Sequence, residues 1–210
     1  MLECSGNWLD HWFVITVDQT ETSPEQLARS CQAGCPDSFG VLVEQFKNRL
    51  YSYLWRFTRN RHDAEDITQE TFLRAYRGIH RFDTNHSFSA WIFTIAKRTA
   101  INHCRGAKPT DGLSDEHAAN TVDPGLALEL EDEKRSLWSM AKTLKPKQYE
   151  ALWLRYAEGF SIAEAARIMN TSQVHVKVLL HRARNHLAKR LDRQARLTPV
   201  SKPSQTTRRL

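Results

Sequence analysis

The sequence predicts an all-α protein of two small helical domains joined by a flexible linker. Three observations carry that expectation. Apolar residues recur with the 3.6-residue period of a buried helix stripe in both halves of the 210-residue chain. Glycine (8) and proline (7) are too sparse for a turn-rich β fold. No apolar–polar alternation runs long enough to make a sheet.

The elements follow in order. Residues 1–22 form an N-terminal extension. It holds a short apolar run over residues 12–17, flanked by Asp10 and Asp18 and lacking the basic start of a signal peptide. A true start further into the chain is the alternative, which the intact mass of the native protein tests. Residues 23–106 form the first domain. Ser23-Pro24-Glu25 reads as a helix start, with serine at the cap and proline at the first helical position. Leu50, Leu54 and Phe57 then keep helical spacing. So do Phe72, Ala75, Tyr76 and Ile79, and later Phe88, Trp91, Ile92, Ile95 and Ala96. We assign these stripes to core packing. Residues 82–87 read as a turn before a helix running from Phe88 to Arg105.

Residues 107–127 are polar, lack a clear period, and contain Pro109, Asp111-Gly112 and Asp123-Pro124-Gly125, so they read as the linker. The second domain spans residues 128–191. Leu137, Met140, Ala141 and Leu144 form one stripe, and Leu152, Trp153 and Tyr156 another. Residues 192–210, with Pro199, Pro203 and several arginines, are expected to be a basic disordered tail.

The sharpest local pattern lies between Gly159 and Arg184. Ser161 with Glu164 three residues on makes a capping box for a short helix. Ala165 and Ala166 are small enough to let a second helix cross closely. Asn170 suits a left-handed turn, and Ser172 can cap the helix that follows. That helix would bury Val176, Leu180, Ala183 and Leu187 and turn His175, Val178, His181, Arg182 and Asn185 outward. This is the layout of a helix-turn-helix whose second helix enters a major groove. Ser172, Gln173, His175, Lys177, Val178, Arg182 and Arg184 are the candidate DNA contacts, with Lys177, Arg182 and Arg184 suited to phosphate.

The first domain carries two further polar faces. Asp66, Gln69, Glu70 and Leu73 share one helix face; an acidic stripe repels phosphate and suits a basic protein partner. The turn residues Asn85 and His86, with Trp91, Lys97, Arg98, Asn102 and Arg105 on the next helix, combine amide, aromatic and basic character. That set suits an unpaired nucleic-acid strand, held by charge and stacking and read on its base edges.

Bulk composition agrees. The net charge of +6 raises the prior for a polyanionic partner. Cys4, Cys31, Cys35 and Cys104 make no CxxC pair and read as ordinary reduced thiols. There is no glycine-rich phosphate loop, paired metal-ligand motif or nucleophile elbow, so we expect no catalytic residue, cofactor, metal or small-molecule substrate. No apolar run approaches the length of a membrane span, so no membrane insertion is expected.

Taken in order, the segments resemble the extracytoplasmic-function group of sigma-70 family sigma factors, over about residues 23–191. The first domain resembles region 2, in Phe39-Gly-Val-Leu-Val-Glu-Gln-Phe, Asp63-Ala-Glu-Asp-Ile-Thr-Gln-Glu-Thr-Phe-Leu-Arg-Ala and Phe88-Ser-Ala-Trp-Ile-Phe-Thr-Ile-Ala. The C-terminal domain resembles region 4, in Leu144-Lys-Pro-Lys-Gln-Tyr, Leu154-Arg-Tyr-Ala-Glu-Gly-Phe-Ser and Leu180-His-Arg-Ala-Arg. The resemblance implies a cytoplasmic, non-enzymatic transcription initiation factor. It implies that Asp66, Gln69 and Glu70 bind the clamp helices of the largest polymerase subunit, with the flap as a further contact. It assigns residues 82–102 to melting the −10 element and capturing its strand, and residues 172–186 to the −35 element. It places the linker toward the RNA exit path and implies an anti-sigma factor as partner.

The chain departs from that family at named positions. The recognition helix has His175, Val178 and Leu179 where the family commonly has threonine, serine and arginine, and the turn at residues 84–87 lacks the common proline and glycine. Losing an arginine removes a phosphate or base contact, whereas Val178 is able to touch a thymine methyl. Two other functions therefore stand beside the first. One is a helix-turn-helix regulator acting without core polymerase. The other is a degenerate sigma-like interaction protein.

Overall fold

A computed structural model of the chain describes residues 22–106 and 138–197. The expected linker and almost all of the expected extension lie outside the described residues. Within them every regular element is helical: α1 (Pro24–Gln32), α2 (Asp37–Thr58), α3 (Arg61–Gly78), a 3-10 turn (Ile79–Arg81), α4 (Phe88–Gly106), α5 (Pro146–Tyr156), α6 (Ile162–Ile168) and α7 (Gln173–Leu197). Residues 138–141 are also helical.

Local chemistry sets most of the boundaries. Ser23 accepts from the Gln26 N–H at 3.2 Å while the Gln26 side chain accepts from the Ser23 N–H at 3.0 Å, a reciprocal cap on α1. Gly34 at φ +99° turns the chain before α2. Arg59 at φ +50° ends α2, and the Asn60 side chain caps α3 by accepting from the His62 N–H at 3.0 Å. The start of α4 is capped from another helix: the Glu25 carboxylate of α1 accepts from the Phe88 N–H at 2.9 Å. α7 runs six residues beyond Leu191, because Asp192-Arg-Gln-Ala-Arg-Leu197 contains no helix breaker and prolines return only at Pro199.

α2 is the central rod. Its Leu42, Phe46, Leu50, Tyr53 and Leu54 are buried against Ile67, Phe72 and Ala75 of α3 and Phe88, Ile92, Phe93 and Ala96 of α4. The second unit does not hang free. Trp153, Leu154, Phe160, Ala165, Ala166, Ile168, Val176, Leu179 and Leu180 continue the same core, and the Phe93 and Phe160 rings meet edge-on at 5.1 Å. A satellite core of Ala141, Leu144, Leu152, Ala183 and Leu187 braces α7 against α5.

Two stripe assignments change, and one recognition-helix position proves to be core. Tyr76 is 47% exposed, because its ring rests edge-on against Phe39 at 5.0 Å and leaves the far side in water. Tyr156, in the last turn of α5, is 55% exposed, where the helix ends and nothing packs over it. Leu179 is buried, so it belongs to the core and not to a reading face. α7 packs on both α5 and α6, which widens its buried arc beyond one narrow stripe.

Candidate nucleic-acid and partner interfaces

α3 presents the first face. Asp66, Gln69 and Leu73 are exposed and Glu70 is half-buried, while Ala64, Ile67, Thr68 and Thr71 face inward. The buried Thr68 and Thr71 hydroxyls each donate to the carbonyl four residues back at 2.7 Å, so the inner side leaves no polar group unpaired. Glu70 pairs with Arg74 at 2.7 Å, which leaves Asp66 as the exposed negative charge at the N-terminal end of the strip. Tyr76, which periodicity assigns to the core, extends this strip. Its signal in the sequence is its position one turn after Leu73, on the shared edge of the polar and apolar faces.

The turn at residues 82–87 and α4 form the second. The Asp83 carboxylate accepts from both the backbone N–H and the side-chain amide of Asn85 at 3.0 Å, which fixes the turn and holds that carboxyl below its ordinary value. α1 braces the turn from beneath: Gln32 donates to the carbonyls of Ile79 at 2.7 Å and Phe82 at 2.8 Å. Asn85 and His86 stay exposed. Trp91 is half-buried against the Phe82 and Phe88 rings, at 5.0 and 5.6 Å. Arg98, Asn102 and Arg105 are exposed and follow Trp91 at i+7, i+11 and i+14, so these four share a face.

Lys97 does not join them. Its ammonium lies 2.8 and 2.9 Å from the two Glu150 oxygens and 3.9 Å from the centre of the Phe57 ring. Glu150 also accepts from the Tyr53 hydroxyl at 2.9 Å. Burial, and then the Glu150 charge, push the Tyr53 phenol well above the usual tyrosine range. Glu150 is 8% exposed, and Tyr53 and Lys97 both reach it from the first unit. Beside it Arg49 donates to Glu158 at 2.9 Å, and Glu158 accepts from the Trp153 indole at 3.0 Å. The two helical units are thus held together by buried charge as well as by apolar contact.

The helix-turn-helix forms the third face. Ser161 and Glu164 make the expected box, at 3.2 Å and 2.9 Å. Burial raises the Glu164 carboxyl, but hydrogen bonds from Ser161 outweigh it and hold the group below its ordinary value. Asn170 takes the left-handed conformation at φ +51°, and Ser172 accepts from the His175 N–H at 3.2 Å. Ser172, Gln173, His175, Lys177, Val178, Arg182 and Arg184 are all on the outside of α7. Val174 is exposed with them, an addition to the expected set. Its signal in the sequence is its place four residues before Val178, opposite the buried stripe.

Among the described residues no three histidine, cysteine or acidic side chains cluster as metal ligands, and no helix is long and apolar enough to cross a membrane. Cys31, Cys35 and Cys104 are free thiols.

The chain thus carries an acidic strip, a braced polar turn beside a basic helix, and a basic helix-turn-helix on separate helices. Comparison with known proteins gives the family. Residues 42–110 match sigma-70 region 2 and residues 134–187 match sigma-70 region 4. The ECF RNA polymerase sigma factor SigW of Bacillus subtilis is 31% identical over 78% of this chain and 94% of its own length. The ECF RNA polymerase sigma factor BldN of Streptomyces coelicolor is 33% identical over 81% of this chain and 67% of its own. The sigma factor RpoE of Bartonella quintana, solved in complex with the anti-sigma factor NepR, aligns over 73% of this chain and 96% of its own with a TM-score of 0.57 and 27% identity. The chain belongs to the extracytoplasmic-function group of the sigma-70 family. It is a transcription initiation factor that recognises promoters through regions 2 and 4, and not an enzyme.

Proposed function

We propose that the three faces divide the work of initiation. Asp66, Gln69 and Glu70, with Leu73, dock on the clamp helices of the largest subunit of core RNA polymerase, where carboxylates meet a basic helical surface. Asn85, His86, Trp91, Arg98, Asn102 and Arg105 take the unpaired strand of the −10 element, the turn reading a base and the helix holding the backbone. Ser172, Gln173, His175, Lys177, Val178, Arg182 and Arg184 read the −35 duplex. The observation that carries this reading is the exposure of an acidic strip and two basic faces on three rigid helices of one chain.

Lys97 serves the −10 strand only after it leaves Glu150. Core polymerase, with the flap holding region 4, separates the two units and releases that lysine. The chain works in the cytoplasm and is held by an anti-sigma factor, in line with the NepR complex of its structural relative.

The test is transcription in vitro with core polymerase and fragmented genomic DNA, mapping the 5′ ends of the transcripts. Starts that depend on the chain and share an upstream motif are expected. Asp66→Lys with Glu70→Lys is expected to weaken core binding about tenfold or more by like-charge contact while leaving thermal melting in place. Undiminished core binding by that variant would remove the strip from the interface. A regulator working without polymerase would be untouched by it.

A further inference from the structure

The outermost line of α7 is not basic. Val176, Leu179, Leu180, Ala183 and Leu187 are buried, and the direction opposite their mean is occupied by Val174, Val178, His181 and Asn185 at i, i+4, i+7 and i+11. Val174 is 70% exposed and Val178 37% exposed. The line continues in His181 and Asn185, whose side chains are hydrogen-bonded to each other at 3.0 Å. Two β-branched apolar residues on successive turns lie uncovered at the crest of a helix that gains nothing from their exposure. The flanks show what covers them. Lys177, Arg182 and Arg184 are exposed on either side, and residues 173–191 contain no Asp or Glu. A helix with a basic rim and an apolar crest fits the major groove, where phosphates line the edges and the only apolar group on a base edge is the thymine methyl.

We infer that Val174 and Val178 are specificity-determining residues that select thymine in the upstream promoter element by packing on its C5-methyl group. This rests on the −35 reading proposed above and adds the base it selects. The contact is apolar, a form of base selection that hydrogen bonds do not supply. It predicts an element with thymines on successive positions facing the crest.

The experiment uses the full chain with core polymerase and the upstream duplex defined by the mapped promoters. Each thymine is replaced in turn by deoxyuridine, which removes only the methyl. Affinity is expected to fall about fourfold at each thymine the crest touches, the equivalent of ~0.8 kcal/mol per buried methyl. Val174→Ala with Val178→Ala is expected to fold as the parent does, since both sites are exposed, and to bind thymine and uracil duplexes alike. Val174→Thr with Val178→Thr, which keeps one methyl at each site, is expected to restore part of the difference. Uracil tolerated at every position, a penalty that persists in the alanine variant, or an element with no thymine there overturns the inference. Failure of the underlying −35 reading has a different signature. In that case scrambling the whole element, or Lys177→Glu with Arg182→Glu, leaves binding unchanged. An alanine variant that keeps its DNA preferences but no longer binds an acidic protein would assign the crest to that partner and overturn the inference as well.

Discussion

Glu150→Gln removes the charge that holds the two helical units together, and its effect separates unit opening from unfolding. In the parent, Glu150 accepts one hydrogen bond from Tyr53 and two contacts from Lys97, all within 2.9 Å. Removing one partner of a buried ion pair commonly costs about 3–5 kcal/mol, because the remaining charge stays dehydrated. Lys97 has an escape that a core lysine lacks: if region 4 lifts away, its ammonium meets water. The cost therefore appears as opening. A shift of about 3 kcal/mol multiplies the open population by roughly a hundred. Amide hydrogen exchange is the assay. Protection in α4 and α6, at the seam, is expected to fall by about that factor, while α2 and α3 keep theirs. The companion change Lys97→Met, made with Glu150→Gln, removes both charges and is expected to recover most of the closure. Unchanged exchange at the seam in Glu150→Gln, or no recovery in the pair, would refute the reasoning.

Two further predictions concern stability. Trp153 is buried against Trp138 at 4.9 Å between ring centres and lies under the Arg56 guanidinium, so Trp153→Ala is expected to destabilise region 4 by about 3–5 kcal/mol in denaturant titration. The Tyr53 phenol is raised, so the native state holds that proton more tightly than the unfolded chain. The stability it contributes is complete below the ordinary tyrosine pKa near 10 and is lost as pH rises through the raised value. Tyr53→Phe is expected to flatten that alkaline loss in melting curves followed at rising pH. An equally steep loss in the variant would place its origin elsewhere.

Local chemistry is what the sequence makes legible. The Ser161 box, the left-handed Asn170 and the Ser172 cap each depend on residues within four positions of one another, and each lies where the sequence predicts it. The stripe of α2 is legible for the same reason: periodicity states which side of a helix is dry. It does not state what lies across from that side. Glu150 and Lys97 are 53 positions apart, and nothing in either neighbourhood marks them as partners. Residues at the margins of a stripe are ambiguous too. Tyr76 buries one ring face and wets the other, and Leu179 is buried because α7 has two neighbours, a fact of tertiary packing.

The short first helix has a use that its length conceals. α1 precedes residue 42, where the match to region 2 begins, yet Glu25 receives the first N–H of α4 and Gln32 binds the two carbonyls that lead into the Asp83 turn. The Asp83 turn is therefore anchored from a segment that precedes the matched region 2. Substitution in those nine residues can retune how firmly the turn is held without altering a single residue of the turn itself. The shape of the turn is thus held in two places, one within the turn itself and one on a helix fifty residues earlier that only sets its posture.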